Sequence, residues 1–400
     1  MTTAEAGVNR QASSTRFALL LAASTCGTVA TGAVAPVLPR FVESSLGGSN
    51  GVVGVVVALS PLFGLVGTLA AGPQVDRLGR RAIAVGGLSV AIAGALLLLV
   101  AHSVVVTSVA RIVSGTGSGF AFAATITWAV DFSAPDRRGR AIGLYGLTVW
   151  VGLSIGPQLG QAIADAEGFR GVWLLVAVLE VAALLLVLCL GRDLAPRVRR
   201  RELPLVHQLF PRGARRPCAL IALAAYGEGV IAAFLVLHLV HRGVHSGAGF
   251  GGAASVFTIF AASVFALRLF AAQVVDRTQP ERVALAGFAA ESAGLVVLAA
   301  AASFGVAAVG ACLMGCGFAV LFPALALAAT EATAEEERGA ALGSFGASYS
   351  FGVAAGSLLG GVVAELWGTG AAHLSAAVAA AAAGVVTARS VAAPAVRAPR

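Results

Sequence analysis

The sequence predicts an all-α membrane protein in which twelve transmembrane helices form two parallel six-helix repeats. Three observations predict this fold class: an apolar composition, an uneven distribution of arginine, and short motifs that recur 200 residues apart. Hydrophobic residues make up 58% of the 400 residues, charged residues make up 12%, and the mean hydropathy is +0.90. A soluble domain contains about 25% charged residues. The composition therefore excludes an ordinary soluble protein.

Apolar segments of about 18 residues or more recur along the chain, and each is long enough to cross a bilayer as a helix. Fifty glycines accompany them, and inside a membrane such small residues let neighbouring helices approach closely. The predicted spans are residues 17–39, 51–72, 82–101, 104–130, 140–164, 171–191, 217–240, 251–273, 282–301, 304–329, 340–364 and 369–388.

All 27 basic residues are arginine, and their positions indicate how the chain is oriented. If the loops alternate between the two sides, one side carries 22 arginines and the other carries three, namely Arg40, Arg170 and Arg242. Arginine accumulates in cytoplasmic loops, so both termini are predicted to be cytoplasmic. This placement explains the net charge of +8 as membrane topology with contact to anionic lipid, and not as a nucleic-acid surface.

The richest arginine loop, residues 192–216, is predicted to be a cytoplasmic linker between an N-terminal bundle, 1–191, and a C-terminal bundle, 217–400. The two bundles match at a constant offset of 200 residues, without gaps. Since each repeat contains an even number of spans, both repeats enter the membrane from the same side. Matching positions include Arg138 and Arg338, Gly115 and Gly315, Gly117 and Gly317, Gly152 and Gly352, Gly156 and Gly356, and Gly160 and Gly360.

Residues 72–81, GPQVDRLGRR, concentrate four charged residues between two apolar segments. This stretch resembles the signature loop of the major facilitator superfamily: Gly, three residues, Asp-Arg, one residue, Gly-Arg-Arg. The resemblance implies a transporter that works by alternating access. It also implies a conformational latch, in which Asp76 faces the N-terminus of the eleventh helix and Arg80 pairs with Asp131. The alternative is a positive-inside anchor without a switching role. The predicted latch residues are Gly72, Asp76, Arg77, Gly79, Arg80, Arg81 and Asp131.

Residues 152–161, GLSIGPQLGQ, resemble the antiporter motif of the twelve-span drug:proton antiporters, with Gln161 in place of the last glycine. The resemblance implies export. Pro157 removes one backbone hydrogen bond and can bend the helix, and Gly152, Gly156 and Gly160 form a smooth stripe. We interpret the stripe as a tight contact between the two halves; ordinary glycine packing is the alternative.

Three residues are predicted to serve proton coupling, namely Arg111, Glu228 and His238. Arg111 lies within a span, where a charge is costly and usually faces a cavity or a carboxylate; snorkelling to the interface is the alternative. The family fold places the seventh helix beside the cavity, so Glu228 is the predicted proton carrier, with His238 as a relay. The competing interpretation is a fixed ion pair between Glu228 and Arg111.

An apolar and aromatic cavity with few fixed charges suits a hydrophobic or amphipathic small molecule. For each aromatic residue, plain packing is an equal alternative. The predicted cavity residues are Trp128, Tyr226, Phe318, Phe322, Trp150 and Tyr349.

The predicted function is therefore a proton-coupled exporter of a drug or natural product in a bacterial cytoplasmic membrane. The alternative is a sugar or polar-metabolite transporter of the same fold. A membrane enzyme is disfavoured because the sequence contains no nucleophile–base or metal constellation, and a non-transporting receptor would not need the latch and antiporter motifs. No cofactor other than the proton, no metal and no nucleic acid is expected, and the chain is predicted to be a monomer.

Overall fold

The structure is a computed structural model that describes residues 3–133, 138–191, 211–277, 279–334 and 337–392. Within these ranges, the side chains of residues 3–14, 76, 138–140, 270–277 and 390–392 lie outside the description.

The described residues include eleven long helices, and two short helical segments, Leu38–Arg40 and Phe41–Ser45, lie between the first and the second. The helices are α1 (Thr3–Val34), α2 (Asn50–Leu78), α3 (Arg80–Leu99), α4 (Val104–Asp131), α5 (Arg138–Cys189), α6 (Arg215–His241), α7 (Ala253–Arg277), α8 (Pro280–Ala300), α9 (Phe304–Glu331), α10 (Arg338–Trp367) and α11 (Thr369–Ala392).

Ten of these helices are long and apolar enough to cross a membrane, so the chain is an all-helical, multi-pass membrane protein. The remaining helix, α7, contains a shorter apolar segment, Ala253–Leu269. Helix α5 is 52 residues long and is interrupted at Gly168, where φ is 70° and ψ is −170°. Only glycine adopts this conformation readily, and Gly168 lies between the predicted spans 140–164 and 171–191. The count of twelve spans and the cytoplasmic termini stay predictions.

The chain divides into two compact units. The first unit contains Met1–Arg201 and Ser246–Thr258, and the second contains Glu202–His245 and Ile259–Arg400. The segment Ser246–Thr258 joins the first unit because its backbone and side chains donate hydrogen bonds to helix α5. Most of the predicted linker 192–216, up to residue 210, lies outside the described residues.

Both units use the same internal packing, and its glycine contacts recur at an offset of 200 residues. A Cβ atom at Gly117 would lie 2.3 Å from the backbone nitrogen of Ala91, and one at Gly317 would lie 2.7 Å from that of Glu291. Real Cβ atoms do not approach other atoms this closely, so only glycine permits these helix contacts. The internal repeat is therefore present in the structure as two similarly packed bundles.

Candidate functional site

Six side chains from four helices of the second unit form what we call the acid–aromatic cluster. Its aromatic residues are spaced four residues apart on α9 and on α10, and this spacing places both members of each pair on one face of a helix. The members are Glu228 on α6, Arg268 on α7, Phe318 and Phe322 on α9, and Phe345 and Tyr349 on α10.

Glu228 is the acid of the cluster, and only 8% of its surface is exposed. The Tyr349 hydroxyl donates a hydrogen bond of 2.5 Å to its Oε2. The other oxygen, Oε1, is buried and has no hydrogen-bond partner among the described residues. The arginine that interacts electrostatically with Glu228 within this unit is Arg268. The site therefore combines one acid that is incompletely hydrogen-bonded with one cation.

Phe322 lies at the centre of the aromatic part of the cluster. Its ring centroid lies 5.2 Å from that of Phe345, 5.9 Å from that of Tyr349 and 6.4 Å from that of Phe318. The Arg268 guanidinium lies 5.1 Å from the same centroid, within the range of a cation–π interaction. Phe318 and Phe345 are buried, whereas Phe322 and Tyr349 are half-buried. The rings thus form a partly accessible apolar surface beside the two charged residues.

Comparison with the first unit distinguishes the cluster residues that recur in both units from those that occur only in the second. The edge-to-face pair Phe322–Phe345 has a counterpart in the first unit, Phe122–Tyr145, with centroids 5.7 Å apart. The other members have no such counterparts, because at the same offset the first unit contains Thr68, Ser118 and Val149 in place of Arg268, Phe318 and Tyr349. The shared pair is consistent with a packing role, and the residues specific to the second unit carry the distinctive chemistry.

Four of the residues predicted from the sequence come together in this cluster: Glu228, Phe318, Phe322 and Tyr349. Tyr226 does not, because its hydroxyl lies 3.1 Å from the Ser375 hydroxyl of α11. Sequence reasoning gave no role to Arg268 and Phe345. A signal existed for each, since Arg268 is an arginine within an apolar segment and Phe345 precedes Tyr349 by one helical turn.

His238 lies ten residues beyond Glu228 on α6, about 15 Å further along the helix axis. Its Nδ1 lies 3.0 Å from the Thr369 hydroxyl, and its ring centroid lies 5.0 Å from that of His373. The Nε2 atoms of both histidines are buried without a hydrogen-bond partner in the part of the chain that the structure describes. His238 is therefore a member of a histidine pair that is separate from the cluster.

The remaining predicted coupling and cavity residues lie in the first unit. Arg111 lies on α4, and its Nε is buried with no hydrogen bond to any described residue. Trp128 is 2% exposed and stacks on Phe132, with centroids 5.7 Å apart, in the hydrophobic core. Trp150 on α5 is also buried. Packing accounts for the position of Trp128, and the cavity role of both tryptophans stays a prediction.

The predicted latch residues lie around the turn between α2 and α3. Gly79 separates the two helices with a φ of 92°, which favours glycine. The Arg80 Nε donates a hydrogen bond of 2.8 Å to Asp131 Oδ2 at the end of α4, so the contact that the resemblance implied is present. A guanidinium N–H of Arg81 donates to the Leu188 carbonyl oxygen at 3.2 Å.

Three other predicted latch residues lie on α2. Gly72 has open space at its Cβ position, and Arg77 is exposed. Helix α2 runs through Asp76, but the Asp76 side chain lies outside the described part of the structure. The switching role of the loop therefore stays a prediction.

The glycine stripe of α5 lies against α1 of its own unit. A Cβ atom at Gly152 would lie 2.5 Å from the Thr28 carbonyl carbon, and one at Gly156 would lie 2.7 Å from the Gly32 Cα. A Cβ atom at Gly160 would likewise collide with the Ala33 backbone. These three glycines therefore pack on α1 inside the first unit, and the interpretation of the motif as a contact between the halves stays a prediction.

Pro157 belongs to the same face. Its Cδ would lie 3.2 Å from a Cβ atom at Gly32, so the proline ring also packs on α1.

Gln161, which replaces the last glycine of the motif, joins a polar network. Its side chain is fully buried; its Oε1 accepts a hydrogen bond from Arg40 at 3.1 Å, and its Nε2 donates to Asp165 at 2.7 Å. Asp165 also accepts the Ala248 backbone N–H at 2.6 Å, and Gln158 accepts that of Gly249 at 3.1 Å. The glutamine is thus linked to the segment 246–258 through Asp165.

Comparison with known proteins gives consistent matches over most of the chain. It is 32% identical over 365 residues to an uncharacterized MFS-type transporter of Burkholderia pseudomallei strain 1106a, with coverage of 86% of this chain and 84% of that protein. It is 27% identical over 352 residues to the MFS-type transporter YhhS of Escherichia coli K12, with coverage of 85% and 84%.

Solved transporter structures share the fold at low sequence identity. The nucleoside transporter NupG matches with a TM-score of 0.77, 13% identity and coverage of 95% of this chain and 100% of that chain. A POT family transporter in complex with 5-aminolevulinic acid matches with a TM-score of 0.79, 12% identity and coverage of 93% and 95%. At these identities, the matches show the fold alone.

The family profile described as Major Facilitator Superfamily matches residues 20–237 and 217–400. With this profile covering both repeats, and with relatives that are named as transporters of the same type, the chain belongs to the Major Facilitator Superfamily of membrane transporters.

Proposed function

We propose that this chain is a proton-coupled exporter of a hydrophobic or amphipathic small molecule, and that Glu228 carries the proton. The observation that supports this most is the hydrogen bond from Tyr349 to Glu228 at the edge of an aromatic cluster. One carboxyl oxygen has a donor and the other has no hydrogen-bond partner among the described residues. A carboxyl group in this state can exist either ionised or protonated, as a carrier must.

The surroundings of Glu228 support both the ionised and the protonated state of its carboxyl group. Tyr349 and Arg268 stabilise the ionised form through a donated hydrogen bond and a positive charge. Burial in an apolar membrane protein favours the neutral form, since an ionised group there is costly. Opposing influences of this kind allow a change of protonation during a transport cycle.

The driving force of one proton is adequate for such an exporter. Moving one charge through a potential of about 100 mV releases about 2.3 kcal/mol. Holding a roughly hundredfold gradient of a neutral solute costs about 2.7 kcal/mol. A modest pH gradient supplies the difference, so a single carrier such as Glu228 is adequate for this gradient.

The aromatic rings support the proposed substrate class. Phe322 and Tyr349 are half-buried and lie beside the buried rings of Phe318 and Phe345. Apolar surface with a few polar groups suits lipophilic and amphipathic compounds. The alternative, a polar metabolite, draws on the printed names of the structural neighbours, a nucleoside transporter and a POT family transporter. It would require more hydrogen-bonding side chains than this cluster offers.

The proposal also includes the direction of transport and the role of the predicted latch. The antiporter-like sequence 152–161 supports export. The contact between Arg80 and Asp131 holds the loop of the predicted latch at the end of α4, which supports a role for Asp76 in stabilising one conformation. We further propose twelve spans, cytoplasmic termini, a bacterial cytoplasmic membrane and a monomer.

The test uses purified protein in proteoliposomes and a panel of lipophilic amines, neutral dyes, nucleosides and sugars. We expect pH-driven accumulation of one lipophilic class and substrate-dependent proton release. Glu228→Gln imitates the protonated acid, so it is expected to keep counterflow but to lose pH-driven accumulation. Glu365→Gln, which removes an exposed acid of α10, is the matched control and is expected to keep both.

Two results would contradict the proposal. Full pH-driven accumulation by Glu228→Gln would exclude Glu228 as the carrier. Transport of sugars or nucleosides, without transport of any lipophilic compound, would favour the alternative substrate class.

A further inference from the structure

Glu291 on α8 is a second buried acid of the second unit, and the proposed function does not use it. Its side chain is 0% exposed. Both carboxyl oxygens are buried and have no hydrogen-bond partner among the described residues. An ionised carboxylate in such a place would be very costly, so this site tolerates the neutral form. A carboxyl group that is retained under these conditions calls for an explanation.

Helix packing does not require an acid at position 291, as comparison with the equivalent position 91 of the first unit indicates. Residue 291 lies against Gly317 in the second unit, as residue 91 lies against Gly117 in the first unit. The first unit makes this helix contact with Ala91. The contact between the helices therefore needs only a small side chain, and the carboxyl group of Glu291 is an addition to it.

The Glu291 carboxyl group lies against the residue that precedes Glu228. A Cβ atom at Gly227 would lie 3.2 Å from Glu291 Oε1, 3.2 Å from Leu295 Cδ1 and 3.3 Å from Met314 Cε. Glycine at position 227 thus leaves room for the carboxyl group between two apolar side chains. The Glu291 carboxyl group therefore lies beside α6 at the residue next to Glu228.

The charges around Glu291 come from the acid–aromatic cluster. Glu228 on α6 interacts electrostatically with Glu291. Arg268 interacts with Glu228 and balances one negative charge. Other titratable side chains are described within the membrane-spanning parts of the packed helices. They are Tyr226 on α6, hydrogen-bonded to Ser375, His238 on α6 and His373 on α11, both hydrogen-bonded to Thr369, Cys218 on α6, and Cys312 and Cys316 on α9.

Two acids and one compensating arginine leave room for one negative charge. If both carboxylates were ionised, the second would be an uncompensated charge in an apolar interior, and like charges that are close together disfavour double ionisation. Interacting acids of this kind titrate as a pair and not independently. The protonation of Glu291 is therefore tied to that of Glu228.

We propose that Glu291 is a second proton-binding residue of the same site, which shares protons with Glu228 across the gap at Gly227. When Glu228 gives up its proton, Glu291 retains one, so that the pair carries no more than one negative charge. A proton that leaves the Glu228 carboxyl group passes to an ionised Glu291 or to solvent, and the charge is conserved in each step. This inference rests on the proposed role of Glu228 as the carrier.

The experiment is infrared difference spectroscopy of the purified full-length protein, titrated from about pH 5 to about pH 9, with no substrate added. The carbonyl stretch of a protonated carboxyl group reports each acid. We expect Glu291→Gln to remove one band of the wild-type spectrum. We expect Glu228→Gln to move the titration midpoint of the remaining band by about one pH unit or more, to lower pH, because a neighbouring negative charge is lost.

Three further variants make the result specific. Gly227→Ala places a methyl group against the Glu291 carboxyl group and is expected to move its band while both acids remain. Glu291→Ala copies Ala91 of the first unit, and it replaces Glu291→Gln if that variant does not fold. Glu180→Gln removes a buried acid of the first unit and is the control, expected to leave the Glu228 and Glu291 bands at their wild-type positions.

The inference is overturned if Glu291→Gln and Glu291→Ala leave the carboxyl bands unchanged. It is also overturned if neither Glu228→Gln nor Gly227→Ala changes the position or the titration midpoint of the Glu291 band. Since no substrate is present, these outcomes are separate from those of the transport experiment. Absence of pH-driven transport by the wild-type protein would instead contradict the proposed function.

Discussion

The Tyr349 hydroxyl lies 2.5 Å from Oε2 of Glu228, and this hydrogen bond joins α10 to α6. It is a bond between two residues that the repeat does not share, since position 149 of the first unit is valine. A donor to a carboxylate stabilises the ionised acid more than the neutral one. In the proposed function, Tyr349 therefore controls how readily Glu228 releases a proton, and the neighbouring aromatic rings contact the substrate.

The first prediction concerns this hydrogen bond. Tyr349→Phe keeps the ring and removes the hydroxyl, so Glu228 loses the donor that stabilises its ionised form. A hydrogen bond to a charged group is worth about 1.5–3 kcal/mol, which corresponds to about one to two pH units. We expect the pH dependence of transport to move to higher pH by that amount, measured as half-maximal accumulation in proteoliposomes against the release-side pH.

Ser375→Ala is the control, because it removes the hydroxyl that contacts Tyr226 and leaves the cluster intact. An unchanged pH profile in Tyr349→Phe would show that this hydrogen bond has no part in proton release.

The family, the repeat and four of the six residues of the acid–aromatic cluster could be predicted from the sequence, for a physical reason. Family motifs and apolar periodicity are local, so the loop 72–81 and the acid Glu228 are visible without coordinates. The contacts of Glu228 are not visible in the sequence, because Arg268 and Tyr349 lie 40 and 121 residues away from it. Only the packing of three helices, α6, α7 and α10, brings these side chains together.

The glycine stripe shows a different limit of sequence reasoning. The spacing of Gly152, Gly156 and Gly160 predicts a smooth helix face correctly, but a smooth face does not specify its neighbour. The structure supplies α1 as that neighbour. The motif is associated with export in the family that it resembles, and in this chain its glycines also pack against a neighbouring helix.

The second prediction tests the packing of α5 on α1. Gly156→Ala places a methyl group 2.7 Å from the Gly32 Cα, so α1 and α5 must separate. Overpacking of this kind costs about 1–3 kcal/mol, and we expect a lower thermal unfolding temperature in detergent. Gly146→Ala on the same helix is the control, because no atom lies within 4 Å of its Cβ position. Equal stability of the two variants would contradict the assigned contact.

The third prediction concerns the contact between Arg80 and Asp131. Its side chains are 12% and 30% exposed, and ion pairs near a surface contribute only about 0.2–1 kcal/mol to stability. We therefore expect Arg80→Gln and Asp131→Asn to fold normally but to transport more slowly, with the double variant no slower than the slower single one. Initial transport rates at equal protein amounts measure this, and fully additive losses would argue against a shared role.

The last prediction concerns Gln161, the residue that departs from the antiporter motif. Gln161→Gly restores the motif, but it removes the hydrogen bonds to Arg40 and Asp165. Asp165 is then less firmly held, and it is the acceptor for the Ala248 backbone N–H. We expect the segment 246–258 to open more often, because local opening follows the loss of the bonds that close it. Hydrogen–deuterium exchange of peptides that contain Ala248 is the measurement, and faster exchange than in the wild type is the expected result. Asp165→Asn keeps an acceptor oxygen and is expected to have a smaller effect. If both variants exchange at the wild-type rate, the network around Gln161 does not hold this segment.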